Sequence, residues 1–552
     1  MTIQFEESKQ LKKLANVHHE EAEEAAKRLA EKLGMSYVDL STVPISIDAL
    51  QLVPLGVARK LQLAPIQLVG AKVQIVMRNP DFPGVAEELE NLKKRRFDPQ
   101  TFLASEYSLE KVWKAYEEIP KPLADIAGHI NVSQARLASF RTEITSLDIL
   151  KQKIGEMRHA TISDLLELLI AGSLATGASD VHIEPEAESV RFRYRIDGIL
   201  SEVASVEADI FKFLLGRIKL ISDLKVNIKD KAQDGRFTIK TDEGDVEVRV
   251  STLPGPNGEN VVMRILNPKA INVSLSELGM QPWVEEELRR QLRKPNGMII
   301  TTGPTGSGKT TTLYACIKHV HEPGIKIITL EDPIEYHLEG IEQTQVEPER
   351  GYDFVSGLRA ILRQDPDVIL VGEIRDKETA ETAMHASLTG HLVFSTLHTN
   401  NAAGTIPRLI DIGVKPNIIA PAINVAMAQR LVRKVCAQCK KTESAKPEEL
   451  AVIIKELESM PANIVRPELG ALRVARPVGC TECHGTGYKG RIGVYEIILV
   501  DDEMENLIIK QPSEADIKVA AFKQGQITMR HDAMLKVIAG VTDLAEVERV
   551  VG

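Results

Sequence analysis

The segment 303–310, Gly-Pro-Thr-Gly-Ser-Gly-Lys-Thr, has the residue types and spacing of a phosphate-binding loop. Its glycines allow a tight turn whose backbone N–H groups point into a concavity that suits a polyphosphate. Lys309 would reach the β- and γ-phosphates, and the hydroxyl of Thr310 would bind Mg²⁺. A β-branched run, 298–302, precedes the loop and residues 311–319 follow it with helical spacing, which is the context that such a loop requires. The predicted ligating residues are Gly303, Pro304, Thr305, Gly306, Ser307, Gly308, Lys309, Thr310 and Thr311.

Three short apolar runs follow the loop at the spacing of an α/β domain, namely 325–330, 368–371 and 392–395. Each suits a strand of a buried parallel sheet, at whose carboxyl edge ligands collect. The first leads to Glu335, and the second leads to Glu373, with Gly372 where a magnesium-binding strand usually has Asp. The third lies between His391 and His398, whose spacing fits two helical turns as well as a strand and a loop. Because a lone histidine is more often structural than catalytic, spacing alone assigns neither.

Four of the five cysteines form two C-x₂-C pairs separated by 40 residues, at Cys436, Cys439, Cys480 and Cys483. Four thiolates satisfy a tetrahedral Zn²⁺ and leave no open position, so the pattern predicts a closed structural zinc site. The interval is longer than in compact zinc ribbons, and residues 448–460 fit a helical insertion within it. Cys316 falls on the helix predicted after the phosphate-binding loop, where we expect a small buried side chain.

Arginines recur in a strand-rich region ahead of the loop. The run 190–196 alternates strictly and ends in an Asp-Gly pair at 197–198, which predicts a hairpin. Arg236 follows, and Arg249 and Arg264 flank a Pro- and Gly-rich loop in two further strand-like runs. Alternating arginines are typical of the solvated face of a strand, so the residues alone give this set no function.

Composition indicates a large globular protein. Its 552 residues, 43% of them hydrophobic, suffice for several cores, and about 150 residues per domain gives three or four domains. A net charge of -10 without a purely basic run argues against a non-specific nucleic-acid binder. No run of 18 apolar residues occurs, and the first residues lack a charged start before an apolar core, so we expect neither a membrane span nor a secretory signal. Five cysteines make no disulfide framework, and we expect a cytosolic protein.

An amphipathic helix is predicted near the N-terminus, over residues 20–33. Its apolar positions recur at helical spacing, and Glu23 and Glu24 each stand four residues ahead of a basic residue, Lys27 or Arg28. Further on, alternation between Ala71 and Met77 predicts a half-buried strand. These two patterns indicate a small α/β domain.

Taken in order, the motifs resemble those of the secretion ATPases of type II secretion and type IV pilus assembly. The matching segments are 303–310 (Walker A), 329–336 (Asp box), 370–376 (Walker B), 389–398 (His box) and the paired C-x₂-C. The resemblance extends upstream to 177–185 and 249–254, and more weakly to 36–40 and the region up to about 118. The zinc module separates the assembly and secretion ATPases from the pilus retraction ATPases, which lack it, and the additional N-terminal domain points the same way.

The resemblance implies a fold and a domain order. We expect an α/β multidomain protein with a RecA-like P-loop ATPase core, a preceding PAS-like α/β domain, a small N-terminal α/β domain and a zinc-binding insertion. The expected bounds are 1–118 for the N-terminal domain, 119–160 for a linker, 161–268 for the PAS-like domain, 269–435 for the RecA-like domain, 436–493 for the zinc module and 494–552 for a C-terminal helical region. The linker begins with Ile-Pro-Lys-Pro at 119–122, and a capping box at 161–164 opens the PAS-like domain.

By resemblance, Lys309 and Thr310 hold phosphate and Mg²⁺, Glu335 is the general base that aligns water, and Glu373 helps to hold the metal through water. These roles agree with the chemistry, because ATP hydrolysis requires cations around the γ-phosphate and a carboxylate near the attacking water.

Further residues match the family in other parts of the chain. Arg249 and Arg264 match arginines that approach the nucleotide from the neighbouring domain, and Arg359 and Arg363 match another pair ahead of the magnesium strand. His391 and His398 match the His box, which links the nucleotide state to the subunit interface. Relatives that bind cyclic di-GMP carry arginine- and leucine-rich motifs ahead of 37–40, where this chain has only a Glu/Ala-rich helix.

The resemblance implies a hexameric cytoplasmic motor that uses ATP, Mg²⁺ and a structural Zn²⁺. It would move an inner-membrane platform protein during pilus assembly, and partners would hold it at the inner face of the cytoplasmic membrane. Type II secretion through a pseudopilus is the alternative within the family. A DNA-uptake or nucleic-acid translocase motor shares the fold, but the net charge of -10 argues against it and we expect no nucleic acid. A scaffold that binds ATP without hydrolysing it is disfavoured by the intact Lys309, Glu335 and Glu373.

Overall fold

A computed structural model of the chain forms two compact units, Met1–Ala124 and Asp125–Gly552. The structure describes residues 22–40, 43, 45–50, 52–69, 72–94, 97–116, 129–131, 139–140, 142–144, 146–156, 162–241, 244–267, 273–470 and 472–552. The Ile-Pro-Lys-Pro motif at 119–122, Thr161 of the predicted capping box, Ala71 and the first two residues of the predicted N-terminal helix lie outside these ranges. Within the described ranges, no helix has the length and apolar character needed to cross a membrane.

The first unit is a three-stranded sheet packed against helices. Its helices are α1 (22–33), α2 (Ile47–Leu50), α3 (Leu55–Leu61), α4 (Val85–Lys94) and α5 (Glu106–Ala115). Its strands are β1 (Leu63–Val69), β2 (Lys72–Met77) and β3 (Asp98–Leu103). β2 is central, antiparallel to β1 and parallel to β3. The predicted helix and strand are therefore both present, and Val73, Ile75 and Met77 of β2 are buried as expected.

Helix α1 is fixed by buried hydrogen bonds that its pattern did not predict. Glu23 is only 8% exposed, and its Oε1 accepts hydrogen bonds from the hydroxyls of Ser105 at 2.6 Å and Ser108 at 2.8 Å. Ser105 also caps α5 by accepting from the N–H of Ser108. The pair of Glu24 and Arg28 is present on the exposed surface of α1, at 3.0 Å.

The second unit begins with a domain built on a seven-stranded sheet. Its helices are α6 (Leu147–Glu156), α7 (Ile162–Thr176) and α8 (Ala208–Ile221). Its strands are β4 (His129–Asn131), β5 (Asp180–Pro185), β6 (Ser189–Ile196), β7 (Ile199–Glu207), β8 (Gln233–Thr241), β9 (Gly244–Gly255) and β10 (Gly258–Leu266), in the spatial order β4-β8-β9-β10-β5-β6-β7. The predicted hairpin joins β6 to β7 through Asp197 (φ 48°) and Gly198 (φ 84°), the left-handed pair that a two-residue turn needs.

The alternating pattern of β6 sorts its side chains onto two faces of this sheet. Phe192 and Tyr194 are buried in a core that includes α7 and α8. Arg191, Arg193 and Arg195 occupy the intervening positions and therefore lie on the opposite face. The face of the sheet opposite the core therefore carries the charged side chains of β6.

A larger α/β domain follows, with an insertion and C-terminal helices. Its helices are α9 (Pro282–Leu292), α10 (Lys309–Val320), α11 (Phe354–Ile361), α12 (Lys377–Leu388), α13 (Thr405–Asp411), α14 (Pro416–Ala422), α15 (Pro447–Glu458), α16 (Asp502–Ile509), α17 (Glu514–Lys523), α18 (Met529–Ile538) and α19 (Leu544–Val551). Its strands are β11 (Gly297–Thr302), β12 (Ile327–Glu331), β13 (Glu342–Gln345), β14 (Val368–Val371), β15 (Leu392–Leu397), β16 (Ile423–Val435), β17 (Lys441–Ser444), β18 (Arg473–Arg476) and β19 (Tyr488–Leu499).

The main sheet of this domain has the order β13-β12-β14-β15-β11-β16-β19. Neighbouring strands are parallel from β13 to β16, and only β19 runs antiparallel. The run before the phosphate-binding loop is β11, and the three runs after it are β12, β14 and β15, so these four predicted strands are confirmed. Because they are parallel, their carboxyl ends meet at one edge of the sheet.

The segment that carries the four paired cysteines is inserted between the long antiparallel strands β16 and β19. It contains α15, which confirms the predicted helical insertion, and a two-stranded sheet of β17 and β18. Strand β19 continues without a break through residue 493, where the sequence predicted a boundary between two domains. The strand that returns from the cysteine-containing insertion is thus itself part of the main sheet.

Candidate active site

The phosphate-binding loop joins the carboxyl end of β11 to the first residue of α10. Gly303, Gly306 and Gly308 have φ angles of 143°, 78° and 90°, which side chains rarely tolerate. A Cβ atom at Gly303 would lie 2.6 Å from the carbonyl oxygen of Gln429, and one at Gly308 would lie 2.9 Å from the Nε2 atom of Gln429. Backbone conformation and space therefore both require glycine at these two positions.

Gln429 of β16 packs against the phosphate-binding loop and forms a hydrogen bond with it. The residue is 1% exposed, and its Nε2 donates to the carbonyl oxygen of Ser307 at 2.7 Å. A buried amide needs such a partner, because an unpaired polar group in the core costs free energy. No motif in the sequence identified Gln429, although a glutamine directly after the apolar run 425–428 was a usable signal.

Lys309 is the first residue of α10, and its Nζ turns back over the loop. It donates to the carbonyl oxygens of Gly303 at 2.9 Å and Pro304 at 3.2 Å. Burial lowers the pKa of Lys309, and the nearby carboxylates of Glu373 and Glu335 oppose that shift. The N–H groups of the first helical turn have no partners within the helix. These N–H groups, the positive end of the helix dipole and the ammonium group of Lys309 together form a site that suits the phosphates of a nucleotide.

Glu373 stands just beyond β14 at the same edge of the sheet. Its Oε2 lies 3.1 Å from Nε2 of His398, which follows β15, and its Oε1 forms an ion pair with Arg375. Arg375 also lies 3.5 Å from Oδ2 of Asp332. The structure thus brings the predicted Glu373 and His398 together and adds Arg375, which was not among the predicted site residues.

Gly372 occupies the position where a magnesium-binding strand usually has Asp, and its surroundings are crowded. Its N–H donates to the carbonyl oxygen of Leu330 at 2.8 Å, and a Cβ would lie 3.2 Å from that oxygen and 3.4 Å from Cα of Glu331. Glu331 is itself a buried carboxylate that accepts from the hydroxyl of Tyr314 at 2.5 Å. This packing favours glycine and leaves Glu373 as the acidic residue at the end of this strand.

Glu335 lies in the loop that follows β12, between Ile334 and Tyr336. Burial and the charge of Glu335 raise the pKa of Tyr336 to about 12, and the charges of Arg249 and Arg264 oppose this rise. A terminal nitrogen of Arg249 donates to the carbonyl oxygen of Ile334. Arg249 of the preceding domain therefore contacts the segment that carries Glu335, whereas Arg264 acts on Tyr336 by its charge alone.

Arg359 lies on α11 and Arg363 in the short 3₁₀ turn that follows it. A terminal nitrogen of Arg359 lies 2.7 Å from Oε1 of Glu378 in α12, and both side chains are exposed. Within the described residues, no hydrogen bond or ion pair joins Arg359 or Arg363 to the phosphate-binding loop or to Glu335 and Glu373. The structure does not bring this pair into the contacts of the site.

The two histidines of the His box lie at opposite ends of one strand. His391 precedes β15, and its Nδ1 lies 2.9 Å from the carbonyl oxygen of Ala386. His398 follows β15 and contacts Glu373. A strand of six residues spans about 20 Å, so His391 lies far from the carboxyl edge. Of the two spacings that the sequence allowed, the structure has a strand and a loop.

The four paired cysteines converge although the pairs are distant in sequence. Their sulfur atoms all lie within 4.8 Å of one another. The Sγ atoms of Cys436 and Cys480 are 3.9 Å apart, as are those of Cys439 and Cys483. Four ligands at about 2.3 Å from a tetrahedral Zn²⁺ would be separated by about 3.8 Å. The N–H of Gly479 donates to the sulfur of Cys439 at 3.3 Å, which stabilises the thiolate form that a metal needs.

Comparison with known proteins gives the same assignment as the motifs. The family model "Type II/IV secretion system protein" matches residues 156–549, and the model "MshEN domain" matches residues 33–121. The type II secretion system protein E of Pseudomonas aeruginosa is 44% identical over 391 residues, which cover 71% of this chain and 76% of that protein. The type IV pilus assembly ATPase PilB of Myxococcus xanthus is 34% identical over 525 residues, which cover 94% of this chain and 89% of that protein.

Solved structures share the fold. The X-ray structure of the Legionella pneumophila ATPase DotB gives a TM-score of 0.50 at 21% identity, covering 70% of this chain and 95% of that one. This likeness, with the parallel sheet and the loop between β11 and α10, confirms the predicted α/β fold with a RecA-like P-loop core. The chain belongs to the type II/IV secretion system protein family, and it is one of the ATPases of that family.

Proposed function

We propose that this ATPase is a hexameric motor that drives type IV pilus assembly by moving an inner-membrane platform protein. The observation that carries the proposal is the contact between Arg249 and the carbonyl oxygen of Ile334, next to Glu335. At this contact an arginine of one domain binds the backbone of another, one residue away from a carboxylate. A site built in this way makes hydrolysis depend on the relative position of two domains.

Each residue of the site has a role in this proposal. The loop from Gly303 to Thr311 and the ammonium group of Lys309 hold the phosphates of ATP. Thr310 and Glu373 hold Mg²⁺, which when bound neutralises negative charge on the phosphates. Glu335 orients the attacking water and accepts its proton.

Arg249 and Arg264, which belong to the preceding domain, supply the remaining positive charge that offsets the negative charge of the phosphates. Negative charge that develops during hydrolysis is stabilised only while these arginines are in place, and an arginine delivered in this way increases the rate by about 10³-fold or more. ATP turnover and domain closure are thereby coupled. Movement of the domain that carries β9 and β10 becomes the mechanical output.

The proposal includes a ring, a location and the class of partner. Six copies surround a central axis at the inner face of the cytoplasmic membrane, where the platform protein holds them. Zn²⁺ at the four cysteines has a structural role only, because four thiolates leave no position for water. No nucleic acid takes part, consistent with the net charge of -10.

Type II secretion is the second candidate, favoured by the 44% identity with protein E of Pseudomonas aeruginosa. The two functions are separated by replacing the gene with a Lys309→Ala allele in the organism that encodes the chain. Loss of surface pili with normal protein secretion supports pilus assembly. Loss of secreted proteins with normal pili supports secretion, and no effect on either process would refute both.

The ring and the division of charge are tested with purified protein. Arg264→Ala should assemble and bind ATP as the unchanged protein does, yet hydrolyse ATP at least about tenfold more slowly. Arg290→Ala, an exposed arginine paired with Glu287, is the matched control and should retain full activity. Activity per chain should rise with protein concentration as rings form. A verified monomer that turned over ATP at the full rate would refute the ring requirement.

A further inference from the structure

One cross-strand row of the second-unit sheet carries four arginines and one aspartate. Adjacent strands pair Arg236 with Arg249, Arg249 with Arg264, Arg264 with Asp180, and Asp180 with Arg195. Directly paired residues point to the same face of a sheet. The face opposite the core thus presents a line of guanidinium groups that is interrupted by a single carboxylate.

Asp180 is held on several sides. It is 5% exposed, and its Oδ1 accepts from Nε of Arg264 at 3.0 Å. Its Oδ2 accepts from the hydroxyl of Ser179 at 2.9 Å and lies 3.3 Å from Nε of Arg195. Arg195 is held in turn by the hairpin, because its Nη1 donates to the carbonyl oxygen of Gly198 at 3.2 Å. These contacts give Asp180 a defined position and orientation.

The bond to Arg264 uses the inner nitrogen of a planar fork. A guanidinium has five N–H donors, and a bond at Nε leaves the two terminal amino groups to bind an anion such as phosphate. The side chain of Arg264 is 54% exposed, whereas that of Asp180 is 6% exposed. The base of the guanidinium is therefore anchored while its end faces solvent.

We infer that Asp180 is a positioning residue for ATP hydrolysis, which fixes the guanidinium of Arg264 through Nε so that its terminal nitrogens can meet the γ-phosphate. This inference rests on the proposed role of Arg264. A long side chain that is already oriented loses less conformational entropy when it binds its ligand. The free energy saved in this way increases the rate of ATP hydrolysis. Arg195 contributes indirectly, as the group that orients the other oxygen of Asp180.

Among the residues that the structure describes, none gives Arg249 an equivalent buried anchor. Its Nε lies 3.3 Å from Oε1 of Glu247, whose side chain is 38% exposed, and its terminal nitrogen contacts the neighbouring domain at Ile334. Arg249 is thus fixed by the domain contact, whereas Arg264 is fixed within its own sheet. If loss of Asp180 slows ATP hydrolysis, we therefore expect the cause to be misplacement of Arg264 and not of Arg249.

A double-mutant cycle tests this inference in the full-length protein. Asp180→Ala and Asp180→Asn are made in the unchanged chain and in the Arg264→Ala chain, with ATP turnover, nucleotide affinity and melting temperature measured for each. Asn keeps the shape and an acceptor but loses the charge, so it remains informative if the Ala variant fails to fold. Glu184→Gln is the matched control, because Glu184 lies on the same face of β5 and pairs with Arg191 and Arg193 outside the row.

We expect Asp180→Ala to lower kcat by about 10- to 100-fold and to change KM for ATP by less than about twofold. Asp180→Asn should fall between that variant and the unchanged protein, and Glu184→Gln should keep full turnover. In the Arg264→Ala chain, loss of Asp180 should lower kcat by less than about twofold further.

Two results would overturn the inference. One is full turnover by folded Asp180→Asn and Asp180→Ala. The other is an equal loss in both backgrounds, since Asp180 would then act without Arg264. Failure of the proposed function has a different signature, because Arg264→Ala itself would then keep the rate of the unchanged protein.

Discussion

The imidazole Nε2 of His398 lies 3.1 Å from the carboxylate Oε2 of Glu373, and the two residues follow neighbouring parallel strands. Arg375 occupies the other oxygen of the same carboxylate. Glu373 is thus held from two sides at the edge where Lys309 begins its helix. The chemical groups that distant motifs supply are brought together by the parallel order of β14, β15 and β11.

Loss of the positive charge of Lys309 or of the negative charge of Glu335 should abolish most ATP turnover. Lys309→Ala removes the cation at the phosphates and Glu335→Gln removes the proton acceptor, so each should lower the Mg²⁺-dependent rate at least about tenfold. Glu335→Gln should still bind nucleotide. Glu342→Gln, an exposed acid on the edge strand β13, is the control and should keep full activity. Unchanged turnover in either site variant would remove the role given to that residue.

The shape of the phosphate-binding loop can be tested with two glycines of one domain. Gly308→Ala places a Cβ 2.9 Å from Nε2 of Gln429 at a φ of 90°, whereas a Cβ at Gly324 meets no atom within 4 Å. We expect Gly308→Ala to weaken nucleotide affinity by at least about tenfold, because the backbone must leave its left-handed conformation. Gly324→Ala should bind as the unchanged protein does. Equal affinities, measured by titration with a fluorescent ATP analogue, would contradict the loop geometry.

We predict one Zn²⁺ per chain at the cysteine cluster. Elemental analysis of freshly purified protein should find it, and the Cys480→Ser/Cys483→Ser double variant should lose it because serine is a poor zinc ligand. Cys316→Ala, which removes the buried thiol of α10, should retain the metal. A full equivalent of zinc in the double variant would be incompatible with this site.

Stability should fall on mild acidification because of His531. Burial lowers the pKa of His531, more than Glu456 raises it, and Arg530 also lowers it. The unfolded chain then binds a proton near pH 6.5 while the folded chain does not, so stability is present above that pH and is lost as pH falls below it. The melting temperature of His531→Gln should therefore fall less than that of the unchanged protein between about pH 7.5 and pH 5.5.

The matched control for this measurement is an exposed histidine. His385→Gln on α12 should keep the pH dependence of the unchanged protein. Some dependence should persist in His531→Gln, because burial also lowers the pKa of His182, His319 and His484. Identical curves for His531→Gln and the unchanged protein would exclude His531 as a source of the effect.

Local patterns predicted the strands, the phosphate-binding loop and the cysteine cluster well. For the strands and the loop, the sequence signal and the structural cause lie within a few residues, as in the glycines of the loop and the apolar runs of β11 and β14. Each cysteine pair is also a local motif, although 40 residues separate the two pairs. The hairpin at 197–198 was predictable for the same reason, since its two turn residues must adopt positive φ angles. The contact of Glu373 with His398 was not predicted, because it depends on the pairing of β14 with β15.

Contacts between distant segments were not predictable from such patterns. Glu23 has the spacing of an exposed helix pair, yet hydroxyls more than 80 residues away make it a buried acceptor. Gln429 lies 122 residues from the carbonyl group that it binds. The row that contains Asp180 depends on the register of five strands, and one residue of slip would send its side chain to the other face.

The placement of the cysteine cluster at the base of the insertion has a consequence for how this chain tolerates change. The two C-x₂-C pairs close a segment of 40 residues, and β16 and β19 leave from the closed end. Helix α15 inside this segment is not independent of the domain, because Ile453 and Leu457 are buried in the same core as Val432 of β16 and Val494 of β19. Residues added or removed within α15 would therefore disturb the strands outside the closure. The mostly exposed connection 465–468 is where the closed segment can grow at the smallest loss of stability, because each doubling of a flexible loop costs only about 0.6 kcal/mol.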